Sequence, residues 1–344
     1  MPVTVRRTRT LQNVGGAAIW LLVELFVLGS GCDGGCGPNR GLMVGGDTPY
    51  ARCLAASPPA EGTRRIGPLT LTIKDRALEV RGLSKGAKLA AFSGPGFGRP
   101  PTAQDLDAIR AARPDLSLVL GDLGDTQAIA NATALSLAGL GHPVLVLAGG
   151  RDTRERLTKA LESLGSRSAN LVDISALRTI RIGSDMFLPV AGALDGRDAL
   201  AEDSCGYAEA DLKDLAGSAR NQKGPKWLLA WQAPARRAGS GPACLACTEQ
   251  GIDLGSGALA HLAEAVGASG GIYAWPHVQA MRPIRAATPP QTQPTVPGAT
   301  AITGVIVPSV VGPALERSDG SHVPAGFALL RLGTDAVMRL EALE

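Results

Sequence analysis

The residues best able to do chemistry lie in short clusters, each at the end of an apolar run. Gly121-Asp122-Leu123-Gly124-Asp125 follows Asp115–Leu120, and Gly149-Gly150-Arg151-Asp152 follows Pro143–Ala148. His277 follows Gly271–Ala274 in Trp275-Pro276-His277. Carboxylates and an imidazole in such positions suit divalent cations or proton transfer. Arg151 and Asp152 suit either a residual anion site or an ion pair of Arg151 with Asp122 or Asp125. The anion reading adds the Gly94–Gly98 backbone and the start of the helix after Asp152. Cys244-x-x-Cys247 is the most motif-like cysteine pair. A zinc site there would need two more ligands, with Cys205 and His261 or His277 as candidates. The pair lies in a Gly/Pro-rich stretch and not at a helix start, so a structural disulfide among Cys205, Cys244 and Cys247 is the favoured expectation.

The elements that must position these clusters alternate. Lys88–Phe92, Asp115–Leu120 and Pro143–Ala148 are short apolar runs separated by two helical patterns. Thr102 and Asp105 have the Thr-x-x-Asp spacing of an N-terminal cap, and Pro114 closes the helix that follows. A second helix spans Thr126–Leu140, and Thr153 caps a third over Arg154–Leu164. Strand, helix, strand, helix, strand predicts a parallel sheet with a site where the strands end. The near-continuous apolar character of Asp115–Leu120 suits a strand covered on both faces.

Elsewhere, Leu69–Ile73 and Ala77–Val80 flank a polar turn and read as a hairpin. Leu171–Ile174, Thr179–Ile182, Trp227–Trp231, Thr303–Val310 and Gly326–Leu332 read as further strands. Ala208–Leu215 and a run capped by Ser256 through Val266 read as helices. Trp227, Trp231 and Trp275 are expected in the core, with Trp231 or Trp275 available to fill space at the strand ends.

The start of the chain carries a different signal. Arg6, Arg7 and Arg9 precede an apolar run from Val14 to Leu28, followed by Leu-Gly-Ser-Gly-Cys at 28–32. A positive start, a short apolar run and small residues before a cysteine form an export-signal layout. Residues 1–31 are expected to be a signal peptide, 32–66 a Gly/Pro-rich tether, and 67–344 the folded domain. Cys36 and Cys53 would close the tether as a disulfide. With 344 residues and a formal net charge of +3, the chain has room for a sizeable core and gives no electrostatic case for nucleic acid.

The end of the signal resembles the lipobox of bacterial lipoproteins, in which Cys32 would be lipidated. That implies an exported protein anchored in a membrane of the bacterial cell envelope. Leu69–Leu343 resembles the calcineurin-like metallophosphoesterases, in motif order and in the strand before each motif. That resemblance implies an α/β fold, a two-layered β sandwich flanked by helices, with metal ligands in five blocks at strand ends. The family's Asp-x-His is here Ser93-Gly94-Pro95-Gly96. Its Gly-Asp is kept as Gly121-Asp122. Its Gly-Asn-His-Asp is Gly149-Gly150-Arg151-Asp152, its His-x-Pro block is Gln232-Ala233-Pro234, and its last block keeps only His277. At most Asp122 and His277 survive from the ligand set, too few for a binuclear centre. The expectation is a catalytically inactive, metal-free envelope lipoprotein, a pseudoenzyme with a ligand-binding, partner-binding or structural role. The alternative is a phosphoesterase using Mn, Fe or Zn in a reduced site at Asp122 and His277. An α/β-hydrolase fold is disfavoured, because no Gly-x-Ser-x-Gly elbow precedes the Pro143–Asp152 strand.

Overall fold

The computed structural model describes residues 50–84, 86–195, 203–236, 245–247, 252–275, 284–285, 300–311, 315–316, 322–323, 325–333 and 338–343. The segment expected as a signal peptide, Cys32, Cys36, Cys244 and His277 lie outside them.

The architecture is mixed α/β: a two-layered β sandwich flanked by helices. One layer contains the parallel strands Lys88–Phe92, Leu116–Leu120, Val144–Leu147 and Leu171–Asp173, adjacent in that order. The other contains the parallel strands Asp185–Val190, Lys226–Gln232, Gly270–Trp275 and Thr300–Ile306. Antiparallel strands Ala328–Leu332 and Met338–Leu343 link the layers, pairing with Lys88–Phe92 on one side and Thr300–Ile306 on the other. Gly62–Ile66, Leu69–Lys74 and Ala77–Arg81 form an antiparallel meander that joins the second layer through Thr179–Ile182.

Side-chain alternation along Lys226–Gln232 explains how the layers hold together. Trp227, Leu229 and Trp231 face the core shared with the first layer. Leu228 and Ala230 face the opposite way, against Leu212 and Leu215 of the Glu209–Arg220 helix and Leu259 and Leu262 of the Gly257–Val266 helix. A strand buried on both faces has no polar face to show, so its sequence reads as a continuous apolar run.

The helices of the first layer start as their sequences require. Thr102 and Asp105 form a reciprocal capping box at Ala103–Ala112, and Arg99 adds a bidentate ion pair to Asp105. Thr126 and Thr153 cap Gln127–Ala138 and Arg154–Ser163 with their side-chain oxygens. Ser256 does the same for Gly257–Val266.

Part of the segment expected as a tether belongs to this domain. Gly62–Ile66 is a strand, and Leu54 is completely buried in the second-layer core. Ala51–Arg52 pairs in parallel with Cys205–Tyr207, and Arg52 grips Asp211 with two hydrogen bonds of 2.6 and 3.1 Å. Cys53 is bonded to Cys205. The expected Cys36–Cys53 pairing is therefore corrected, because folding of the 50–57 segment onto the Cys205–Tyr207 strand brings Cys205 within reach. This bridge spans a sequence separation of 152.

Candidate functional site

The strand ends of the first layer converge through their backbones. The amide N–H of Gly94 donates to the Gly121 carbonyl at 3.1 Å, and that of Gly96 to the Asp122 carbonyl at 2.9 Å. Gly121 in turn donates to Leu147 at 2.8 Å. Ser93 donates to Pro308 and accepts from Val310, both at 3.0 Å, which pins the 307–310 segment beside the same edge. Phe97 donates to Gly94 at 3.2 Å. Three amides of the Gly94–Gly98 loop thus have backbone partners within the fold.

Asp152 organises the centre of this cluster. Its carboxylate accepts the amide N–H groups of Asp122 and Leu123, each at 2.8 Å, and of Gly149 at 2.7 Å. It is a built-in anion at the place where two strand ends present their donors. Arg151 makes no ion pair among the described residues. Its guanidinium carbon lies 4.8 Å from the centroid of the Phe97 ring, a cation–π arrangement. The expected pairing of Arg151 with Asp122 or Asp125 is replaced by this stacking.

Asp122 itself sits in the left-handed region at φ 59°, a conformation that Asp tolerates better than most residues. Its side chain is 5% exposed, and neither carboxyl oxygen makes a hydrogen bond of normal geometry. Burial, and then the neighbouring Asp152 carboxylate, push its pKa up to about 8, against the opposing pull of the Arg151 charge and the Trp231 indole N–H. Burial also pushes Asp152 upward, but its three amide donors favour the charged form. Of the two buried acids, Asp122 is therefore the one that holds the proton.

Trp231 occupies the space between the layers at this point. It is completely buried, and its ring lies against three glycines of the motif loops. A Cβ built on Gly121 would fall 2.3 Å from Trp231 Cδ1, one on Gly149 would fall 2.5 Å from the same atom, and one on Gly150 would fall 2.7 Å from Cζ3. The glycines are the positions that allow the indole in. Gly96 is closed differently: its Cβ would fall 1.9 Å from the backbone oxygen of Leu123.

Gln232, next along the strand, points to the opposite face. Its amide oxygen accepts the Tyr207 hydroxyl at 2.9 Å and the Leu194 amide at 3.3 Å, and Tyr207 also reaches Ser256 at 3.2 Å. Nothing in the sequence signals this buried network, since Tyr207 stands in no motif.

These residues do not fit a binuclear metal centre. Among the described residues no group of three or more His, Cys, Asp or Glu could hold a metal ion. Asp122 is a single carboxyl group, and an indole fills the neighbouring space. The zinc candidates are also rearranged. Cys205 is used by Cys53, Cys247 is disulfide-bonded, and His261 lies exposed on the Gly257–Val266 helix.

No protein-family model matches the chain, and no curated protein matches it. Solved structures give distant likenesses. TT1561 of Thermus thermophilus has 14% identity and a TM-score of 0.43, over 76% of this chain and 98% of its own. A second crystal structure has 13% identity and a TM-score of 0.46, over 75% of this chain and 100% of its own. Similarity this low carries no argument about function.

Proposed function

We propose that this chain is a metallophosphoesterase-like pseudoenzyme, exported and anchored in the bacterial cell envelope through Cys32, with a binding or structural role. The observation that carries the loss of catalysis is the packing of Trp231 against Gly121, Gly149 and Gly150. Metal-assisted hydrolysis needs several ligands converging on an open space to polarise phosphate and activate water. Here the glycines supply no ligand atoms, and the space they vacate is filled by an apolar ring. The buried Asp122 has become a neutral group beside the Asp152 clamp.

Metal analysis of the purified protein after supply of Mn, Fe and Zn, with a Mn²⁺-stimulated phosphodiester hydrolysis assay, tests this. The expected result is substoichiometric metal and no turnover. Stoichiometric metal, with activity abolished by Asp122→Ala, would establish the alternative of a reduced active site at Asp122 and His277. The lipid anchor predicts partitioning into the detergent phase that Cys32→Ser removes; partitioning unchanged by that substitution would defeat it.

A further inference from the structure

A second cluster of charge lies under the 54–57 segment, and none of the sequence motifs includes it. Arg76 ends the turn between two meander strands, Arg178 precedes the Thr179–Ile182 strand, and Arg154 opens the Arg154–Ser163 helix. The Arg178 amide donates to the Arg76 carbonyl at 2.7 Å, so the two residues are backbone neighbours. The Arg76 guanidinium donates to the carbonyls of Leu54 and Ala56, and Arg154 donates to the Ser57 carbonyl at 2.6 Å.

These are neutral partners. Among the described residues none of the three arginines makes an ion pair. Asp211 feels the Arg178 charge and Asp173 the Arg154 charge, but both are hydrogen-bonded elsewhere: Asp211 by Arg52 and the Ala208 amide, Asp173 by the Ser175 amide. The guanidiniums also feel one another, since burial and then the charges of Arg178 and Arg154 push the Arg76 pKa down. Two donors, Arg76 Nε and Arg178 Nη1, are buried without an acceptor.

Three like charges, two of them with an open buried donor, are costly unless a counter-charge joins them. Planar guanidinium forks match the oxygens of a phosphate or sulfate. We propose that Arg76, Arg154 and Arg178 form a binding site for a small oxyanion, phosphate or sulfate, beneath the segment fastened by the Cys53–Cys205 disulfide. The anion would supply the missing acceptor and tie that segment to the meander and to the helix.

Thermal melts of the full-length chain in phosphate, sulfate and chloride at equal ionic strength test it, with calorimetric titration of phosphate. Phosphate and sulfate should raise Tm saturably beyond chloride. R178Q and R154Q should each weaken phosphate binding at least tenfold, while R167Q, at an exposed arginine outside the cluster, leaves it unchanged. No rise beyond chloride, wild-type affinity in both cluster variants, or an equal loss in R167Q would each overturn the site. Should R178Q fail to fold by circular dichroism, R154Q at its half-buried position decides alone.

Discussion

Asp122→Asn replaces the buried acid by an isostere of its neutral form, at a left-handed backbone position that Asn also accepts. In the wild type, Asp122 titrates near 8 when folded and in the ordinary carboxylate range when unfolded. The folded state therefore binds the extra proton between those values, and stability must fall as pH rises. The stabilisation is fully present below the unfolded pKa and is lost as pH passes through the folded one. At about 1.4 kcal/mol per pH unit per proton, the loss between pH 6 and pH 8 comes to about 2 kcal/mol. The Asn variant has no proton to lose there, and its Asp152 no longer faces a second titrating acid. Urea unfolding at pH steps from 6 to 9, in phosphate-free buffer with a chelator, reads this difference through tryptophan fluorescence. The expected outcome is a stability curve flatter by about 2 kcal/mol between pH 6 and pH 8 in the variant, whose advantage over the wild type grows as pH rises. Parallel curves would refute the assignment of the proton to Asp122. A wild type that gains stability on going from pH 6 to pH 8 would refute it more sharply, since that sign requires an ionised carboxylate stabilised by the fold.

Other substitutions probe the packing around the same centre. Trp231→Ala should cost about 3–5 kcal/mol in urea unfolding, the usual penalty for emptying a fully buried aromatic site. Gly96→Ala should unfold or severely destabilise the protein, because the added methyl meets a backbone oxygen at 1.9 Å. Gly98→Ala serves as the control: its Cβ would meet nothing within 4 Å, so only the cost of its φ of 71° remains, about 1 kcal/mol. Cys53→Ser and Cys205→Ser should each remove about 5 kcal/mol on the chain-entropy model, because the bridge closes so long a loop. The double mutant should lose no more than either single one, and an additive loss would show that the cysteines are not paired with each other.

What the sequence makes legible follows from local chemistry. The Leu116–Leu120 strand, the Thr102 capping box and the Ser256 cap are written in neighbouring residues, and the structure has all three. Asp185–Val190 is not legible, because Pro189 argues against an inner strand. Its antiparallel partner pairs only with Asp185, Met186 and Phe187, so Pro189 lies beyond that ladder and forfeits no hydrogen bond there. Gly62–Ile66 is a polar edge strand formed by pairing with Leu69–Lys74 and not by any alternation of its own. Met338–Leu343 is likewise unexpected, although it joins the two layers. At the site, Gly94, Gly96, Gly149 and Gly150 offer no side-chain ligand atoms, as the sequence reads. What replaces them depends on the inward side of one strand, which turns Trp231 toward the motif loops and Gln232 away from them. The partner of Cys53 is beyond reach for a similar reason, since disulfide connectivity depends on which distant strand the 50–57 segment meets.

The contact between Trp231 and the three glycines also sets the order in which this protein could change. A side chain introduced at Gly121, Gly149 or Gly150 collides with the indole while Trp231 is present. Removing Trp231 first leaves a cavity that costs stability and brings no ligand. Each single step toward a metal-binding sequence is thus unfavourable alone. The indole acts as a ratchet, and a laboratory attempt to build on Gly150 would have to relieve Ala193 as well as Trp231, since the added Cβ would also lie 2.9 Å from Ala193 Cβ.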